Sequence, residues 1–351
     1  MLNSIFLRGF LVAGVLAPSL AAAQSSVTVD GRIDTSIDRI SAGANTSAGY
    51  AAAGGHVTRV NDNTSRLGFK GVESLGGGAA AVFGLEFGLN ADAGTLTNPN
   101  FRHSYVGLRG GWGTLVAGRL DSGAQGSSPA YSQLARNVRW LIHDAGPVAL
   151  GTRIFNASNR VSNAVAYVTP TASGFNAAFR VNLAGLDAPG TANPLLRNEG
   201  DFRQYQAALN YETGPLRAGI AYAYDDKRGG LQTNDFRNKV QAVGSYDFGY
   251  LKPYVAYGQD RYRNTATSRG EVDYWLIGAA APFGPHTVIA NYANRDLQTV
   301  RSGAIRKFQV GYGYNFSKRT QMYAFFDHDT SNTAASDTVA RALGLGVQHR
   351  F

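Results

Sequence analysis

The sequence predicts an all-β fold in which sixteen antiparallel strands close into a transmembrane β-barrel. Three observations lead to this prediction. Apolar and polar residues alternate along many segments, short and long connections follow one another in turn, and the chain ends on an alternating segment whose last residue is Phe351. A period of two indicates strands with one polar and one apolar face.

The first strand shows the pattern clearly. Val27, Val29, Ile33 and Ile37 occupy odd positions, and polar residues lie between them. Helical periodicity is hard to find anywhere in the chain, so strands dominate the prediction. The same alternation recurs in Arg66–Lys70, Tyr205–Tyr211, Val255–Arg261 and Leu343–Phe351.

Turn signals divide the chain at regular intervals, and seven short connections alternate with eight longer polar ones. The short ones are 75–78, 110–113, 169–174, 213–215, 248–252, 281–285 and 317–320. The long ones are 41–62, 91–100, 121–159, 185–201, 226–236, 263–270, 297–304 and 331–338. Outer-membrane barrels have an even number of strands, short periplasmic turns and longer external loops. A soluble β-sandwich also has alternating strands, but it requires neither strict short–long alternation nor a terminal aromatic residue.

The N-terminus resembles an export signal. Arg8 precedes a short apolar run, Pro18 interrupts it, and Ala21–Ala23 offers a small-residue cleavage pattern. We therefore expect residues 1–23 to be a signal peptide and residues 24–351 to form the barrel. The alternative is a buried N-terminal helix, which matches the signal pattern less well.

The composition narrows the function further. The chain contains no cysteine, which excludes disulfides and thiolate metal sites, and we expect no cofactor. The formal charge is +9, but the basic residues are scattered and do not form the cluster that indicates nucleic-acid binding. We therefore expect no nucleic-acid partner.

Four motifs carry a family resemblance that extends from about residue 26 to residue 351. Ser65–Gly78 resembles the second strand and first turn of general porins of the β-proteobacterial type, and Phe101–Thr114 resembles their next hairpin. Arg160–Pro170 is similar to the strand that follows their constriction loop, and Gly346–Phe351 is similar to their C-terminal assembly signal. Each motif is weak alone, but the four occur in the expected order and spacing.

The resemblance implies a non-enzymatic, water-filled channel in the outer membrane of a Gram-negative bacterium, through which small hydrophilic solutes diffuse. It also implies a homotrimer surrounded by lipid and lipopolysaccharide, and recognition of Phe351 by the barrel assembly machinery. The third outer loop, which joins the fifth and sixth strands, is expected to fold inward. Here it is the longest connection, Leu120–Asn159.

The resemblance further implies a ladder of basic residues on the pore wall. Motif matching assigns this ladder to Arg32, Arg66, Arg102 and Arg160. Alternation places Arg32 and Arg66 on the polar face, whereas an inward Arg102 would direct His103 outward.

The acids expected to face the ladder come from the third loop. This loop lacks the Pro-Glu-Phe-Gly signature of the family and offers only Asp121 and Asp144 against three arginines. Either acid could instead cap a turn. The excess of positive charge favours anions, because charges around a narrow site select permeating ions.

The aromatic residues Tyr211, Tyr222, Tyr254, Tyr274 and Trp275 are interpreted as girdles at the membrane interfaces. Stacking tracks for sugars are the alternative.

Two other functions remain open. The first is a barrel enzyme, for which Asp327-His328-Asp329 is the most suggestive triplet. The second is an adhesin or structural barrel with a plugged lumen.

Overall fold

The computed structural model describes residues 26–42, 55–121, 154–155, 160–183, 202–227, 236–262, 270–296, 303–333 and 336–351. These residues form the strand segments β1 (Ser26–Ala42), β2 (His56–Asp62), β3 (Arg66–Gly76), β4 (Ala79–Asn90), β5 (Thr95–Gly110), β6 (Gly113–Asp121), β7 (Arg160–Val168), β8 (Phe175–Asn182), β9 (Phe202–Thr213), β10 (Leu216–Lys227), β11 (Phe236–Tyr246), β12 (Lys252–Tyr262), β13 (Glu271–Phe283), β14 (His286–Asp296), β15 (Gly303–Asn315), β16 (Thr320–Thr333) and β17 (Ser336–Arg350). None of the described segments is a helix long and apolar enough to cross a membrane. Residues 1–23 lie outside the described part, so the signal peptide stays a prediction.

The segments β2 and β3 are two halves of one barrel strand. Both pair with β1: Thr35–Ser41 pairs with β2, and Ser26–Arg32 pairs with β3. Residues 63–65 interrupt this second strand, which then continues in the same direction. The seventeen segments therefore make the sixteen-stranded antiparallel barrel that the sequence predicts.

The barrel closes where its first strand meets its last. β1 pairs with β17 from Arg32–Arg350 to Ala42–Ala340. At the end of this ladder, the Gly31 amide donates to the Phe351 carbonyl at 3.1 Å, and the Phe351 amide donates back at 3.2 Å. Closure leaves no strand edge exposed, which the hydrocarbon core requires because it offers no water to unpaired amides.

All seven short connections lie where the sequence predicts them. Three of the long connections are much shorter than predicted, by six residues or more, which corrects their boundaries. β5 already begins at Thr95, so 91–100 contracts to a turn at 91–94. β2 occupies much of 41–62, and β16 and β17 extend into 331–338. Polar residues beyond the membrane band continue to pair their backbones, so polarity alone does not mark the end of a strand.

The two faces of the wall differ in burial. On β1 the polar side chains of Asp34, Ser36 and Asp38 are buried on the inner face, while Ile33 and Ile37 are exposed on the outer face. This is the reverse of a soluble β-sandwich, because the exposed apolar face is the one that contacts lipid. The polar face lines the lumen.

The sequence prediction assigns two of the girdle aromatics to the wrong face of the barrel wall. Tyr254 and Tyr274 are buried on the inner face, whereas Tyr222 is exposed on the outer face. The register pairs Tyr274 with Gly258 and Tyr254 with Gly278, and in each case the missing side chain of the glycine leaves room for the ring.

We predict that deletion of Phe351 reduces the amount of folded barrel in the outer membrane. The deletion removes the last backbone pair of the closing ladder and the ring that covers Gly31. The measurement is the heat-modifiable gel mobility of the membrane fraction, with deletion of the turn residue Lys318 as a control. An unchanged folded fraction at every expression level would contradict the prediction.

Candidate functional site

A segment of the third connection crosses the lumen. Ile154 and Phe155, which belong to the Leu120–Asn159 connection between β6 and β7, are fully buried against β11 to β14 on the far side of the barrel. The Phe155 ring meets the ring of Tyr274 edge-on, with centroids 5.3 Å apart. The third loop therefore folds inward, as the family resemblance implies.

Buried charges hold this segment in place. Arg295 donates to the Ile154 carbonyl at 3.0 Å, and Lys239 donates to the Phe155 carbonyl. Asp260 lies between the two cations, 2.7 Å from Arg295 and 3.4 Å from Lys239. Because buried charges require partners and satisfied hydrogen bonds, this group specifies one docked position for the loop segment.

Two of the predicted ladder residues meet at a single carboxylate on the inner wall, and a third lies beside them. Glu86 lies 2.5 Å from the Arg102 Nε and 3.3 Å from the Arg66 Nε. Arg32 is paired in register with Arg66 across β1 and β3. We call Arg32, Arg66, Arg102 and Glu86 the arginine cluster. It contains three positive charges and one negative charge, which generates a field across the lumen that can attract and orient anions.

A β-bulge brings Arg102 into the cluster. Phe87 pairs with Phe101 and Glu86 pairs with His103, so Arg102 is the extra residue on β5. A bulge of this kind redirects a side chain. Arg102 and His103 both face inward, where the rings of His103 and Tyr105 lie tilted to each other with centroids 5.4 Å apart. The expectation that His103 faces outward is therefore wrong.

The other candidate residues lie elsewhere. Arg160 begins β7 and pairs with Asp121 in the β6–β7 register. Its neighbour Val161 is buried on the inner face beside Leu120, so alternation places Arg160 on the outer face at the end of the strand. Asp144 lies outside the described residues, as does the side chain of Asp121. This register does not place Arg160 on the pore wall as predicted, and the constriction roles of Asp121 and Asp144 stay predictions.

Sequence reasoning missed several residues of the site. Glu86 could have been found, because it shares the inner face of β4 with the buried Ala80 and Val82. The trio Lys239, Asp260 and Arg295 comes from three different strands, so no local motif indicates it.

The Asp327-His328-Asp329 triplet does not assemble into a catalytic arrangement. Asp327 and Asp329 face inward, where each lies 3.1 Å from Lys307. His328 faces the other way, and its Nδ1 lies 3.3 Å from the Arg341 Nε. The strand alternation separates the imidazole from both carboxylates.

Comparison with known proteins agrees with this architecture. The profile of the Gram-negative porin family matches residues 11–334. Outer membrane porin protein 32 of Delftia acidovorans is 31% identical over 342 residues, covering 93% of this chain and 91% of the relative. An outer membrane porin protein of Bordetella pertussis is 28% identical over 393 residues, with coverage of 98% and 100%.

Solved structures agree as well. The anion-selective porin from Comamonas acidovorans matches with a TM-score of 0.72 at 26% identity, covering 93% of this chain and 100% of that one. OmpT of Vibrio cholerae shares the fold, with a TM-score of 0.66 at 13% identity and coverage of 93% and 98%. A closed barrel with a polar inner face, a loop folded across its lumen and these relatives lead to one conclusion: the chain belongs to the Gram-negative porin family and forms a diffusion channel in the outer membrane.

Proposed function

We propose that this porin is a passive channel that prefers anions among small hydrophilic solutes and has no catalytic activity. The observation that carries the proposal is the arginine cluster, in which one carboxylate serves two of three guanidinium groups. The similarity to the Comamonas protein, an anion-selective porin, supports the same preference.

The size of the expected anion preference follows from the charges of the arginine cluster. A unit charge 4 Å from an ion contributes about 1 kcal/mol in bulk water and about four times that at an effective dielectric near 20. Roughly 1.4 kcal/mol corresponds to a factor of ten in occupancy. An excess of positive charge at a narrow point is therefore sufficient for a several-fold preference, which salt weakens by screening.

The outer surface supports assembly into a homotrimer. In the described part of the chain, β7 and β9 to β15 each carry an outward-facing Tyr or Trp, from Tyr167 on β7 to Tyr312 on β15. The two tyrosines on the remaining segments β1 to β6, β8, β16 and β17 are Tyr105 and Tyr323, and both face inward. Because Tyr and Trp mark the lipid interface, we propose that the surface centred on β17, β1 and β3 contacts the neighbouring subunits.

The lipid-facing side offers contacts for lipopolysaccharide. Arg203, Arg261 and Arg306 face outward at the ends of β9, β12 and β15 that carry long connections. Arginine suits phosphate groups, which it can bind in a bidentate manner, and phosphorylated headgroups lie at this level of the outer leaflet. At the opposite end, Phe351 is exposed on the outer face, which supports its proposed recognition by the barrel assembly machinery.

We predict that the double substitution Arg66→Glu and Arg102→Glu makes the channel cation-selective without closing it. The substitution turns the excess of two positive charges in the cluster into an excess of two negative charges. The measurement is the reversal potential across a planar bilayer in a salt gradient near 0.1 M, where the Debye length is about 10 Å.

The matched control is Lys70→Glu with Arg217→Glu. These two residues also lie on the inner face and are ion-paired, with Asp30 at 3.0 Å and Glu212 at 2.7 Å, but they lie nearer the short turns and are more exposed. We expect a much smaller shift from this pair. A cation-selective wild type, or equal shifts from the two pairs, would exclude the arginine cluster as the source of selectivity.

We also predict that Phe155→Ala raises the mean single-channel conductance and the current noise. Truncating a buried Phe costs about 3–5 kcal/mol, and here the loss weakens docking of the loop segment on β11 to β14. Removing most of residues 120–159 should raise conductance further and relax the size cutoff. Phe283→Ala, at an exposed position on the outer face, is the control. Wild-type conductance in both loop variants would show that the loop does not limit the pore.

A further inference from the structure

We propose that the interruption of the second barrel strand at residues 63–65 sets the anion preference by holding Arg32 in the lumen, and that Asp62 is the positioning residue that maintains it. This inference deepens the proposed function and rests on the anion preference stated there. Asp62 is itself an acid, so removal of its negative charge alone would raise the anion preference. Loss of its positioning role is predicted to lower the anion preference.

The interruption contains one extra residue. Arg66 pairs with Arg32, and Asp62 pairs with Thr35. Three residues, 63–65, therefore oppose two residues of β1. Thr64 adopts a left-handed conformation with φ of 66°, which a β-branched residue rarely does. A strained conformation of this kind persists only where the surroundings enforce it.

The Asp62 carboxylate satisfies the backbone amides that the interruption takes out of the ladder. One of its oxygens accepts from the Thr64 amide at 2.9 Å, and both oxygens lie within 3.3 Å of the Ser65 amide. The carboxylate also accepts from the Ala91 amide at 3.2 Å, which ties the interruption to the connection between β4 and β5. Without an acceptor, these amides would compete for other partners.

Asn63 fixes the other side of the interruption. Its side chain is buried, and the Nδ2 group donates to the Ser36 hydroxyl at 2.9 Å and to the Tyr323 hydroxyl at 2.7 Å. Its amide donates to the Asp34 carbonyl at 2.8 Å. Contacts to β1 and β16 therefore hold the backbone of residue 63 on the inner wall.

This backbone holds Arg32. The Arg32 Nη2 donates to the Asn63 carbonyl at 2.8 Å and to the Thr64 carbonyl at 3.0 Å. Carbonyls accept hydrogen bonds without carrying a formal charge, so they orient the guanidinium and leave its charge available to the lumen. Arg66 and Arg102, in contrast, share the carboxylate of Glu86.

Asp34 is the acid closest to Arg32, but its carboxylate is bound mainly by other residues. Asp34 lies 3.9 Å from the Arg32 Nε. Its two carboxylate oxygens accept from Tyr323 and Gln348, each at 2.6 Å. The interruption therefore holds the Arg32 guanidinium beside Arg66, whose like charge repels it. The carbonyls of Asn63 and Thr64 offset part of this repulsion.

The sign of the Asp62 effect separates positioning from charge. Asp62 pairs in register with Thr35, which lies between the inward Asp34 and Ser36, so Asp62 is on the outer face of the wall. Removing its negative charge would by itself make the pore slightly more attractive to anions. Loss of the interruption would instead release Arg32 from its carbonyl partners and reduce the anion preference.

The experiment compares Asp62→Ala with Asp62→Asn in planar bilayers. Both substitutions remove one negative charge, but Asn retains one side-chain oxygen, which can accept from the amides of residues 64 and 65 as the Oδ2 of Asp62 does, whereas Ala retains none. We expect the anion-to-cation permeability ratio to fall by about threefold or more in Asp62→Ala. We expect Asp62→Asn to keep a ratio clearly nearer to the wild-type value than Asp62→Ala does. Heat-modifiable gel mobility establishes that each variant is folded.

Asp30→Ala is the control for charge, because Asp30 faces inward and pairs with Lys70 at 3.0 Å. This variant should become more anion-selective.

If Asp62→Ala does not fold, Asn63→Ala tests the same inference without any change in charge, and it should also lower the anion preference. Equal ratios for Asp62→Ala and Asp62→Asn, or an unchanged ratio in Asn63→Ala, would overturn the inference. A wild type without anion preference would overturn the proposed function itself.

Discussion

Closure of the hydrogen-bonded wall is the constraint on which the rest of this structure depends. A membrane-spanning sheet with a free edge would expose unpaired amides and carbonyls to hydrocarbon, so β1 must meet β17. An antiparallel sheet that closes on itself through hairpins needs an even number of strands, and its side chains must alternate between lipid and lumen. The Gly31–Phe351 backbone pair completes this ladder, with the terminal ring lying where the glycine has no side chain.

Strict alternation limits how many side chains of one kind can gather at one point of the lumen. Two departures from alternation contribute to the surroundings of the arginine cluster. The bulge at Arg102 adds an inward cation on β5, and the interruption at residues 63–65 turns two carbonyls toward Arg32. The interruption lies between β2 and β3 and the bulge lies on β5, with only β4 between them, so both act on the same wall and their effects converge. The regular sheet forms the wall of the barrel, and its irregularities determine where the charged side chains of the cluster lie.

Local pattern was sufficient to predict the strands, the short turns and the inward faces of Arg32 and Arg66. It failed where a residue's direction depends on its partner strand. The register around Arg102 contains an extra residue that no periodicity shows, so His103 was assigned to the wrong face. Tyr274 was misassigned because an apolar ring on the inner face makes sense only once Phe155 reaches it across the lumen.

The two walls of the lumen differ in what they contribute. β11 to β14 hold the crossing segment through Tyr274 and the trio Lys239, Asp260 and Arg295, whereas the arginine cluster lies on β1 to β5. Width and charge are therefore encoded by different sets of side chains. During divergence, such a channel can change its ionic preference by substitutions on one wall and its size cutoff by substitutions on the other. The fold thereby allows two transport properties to evolve independently.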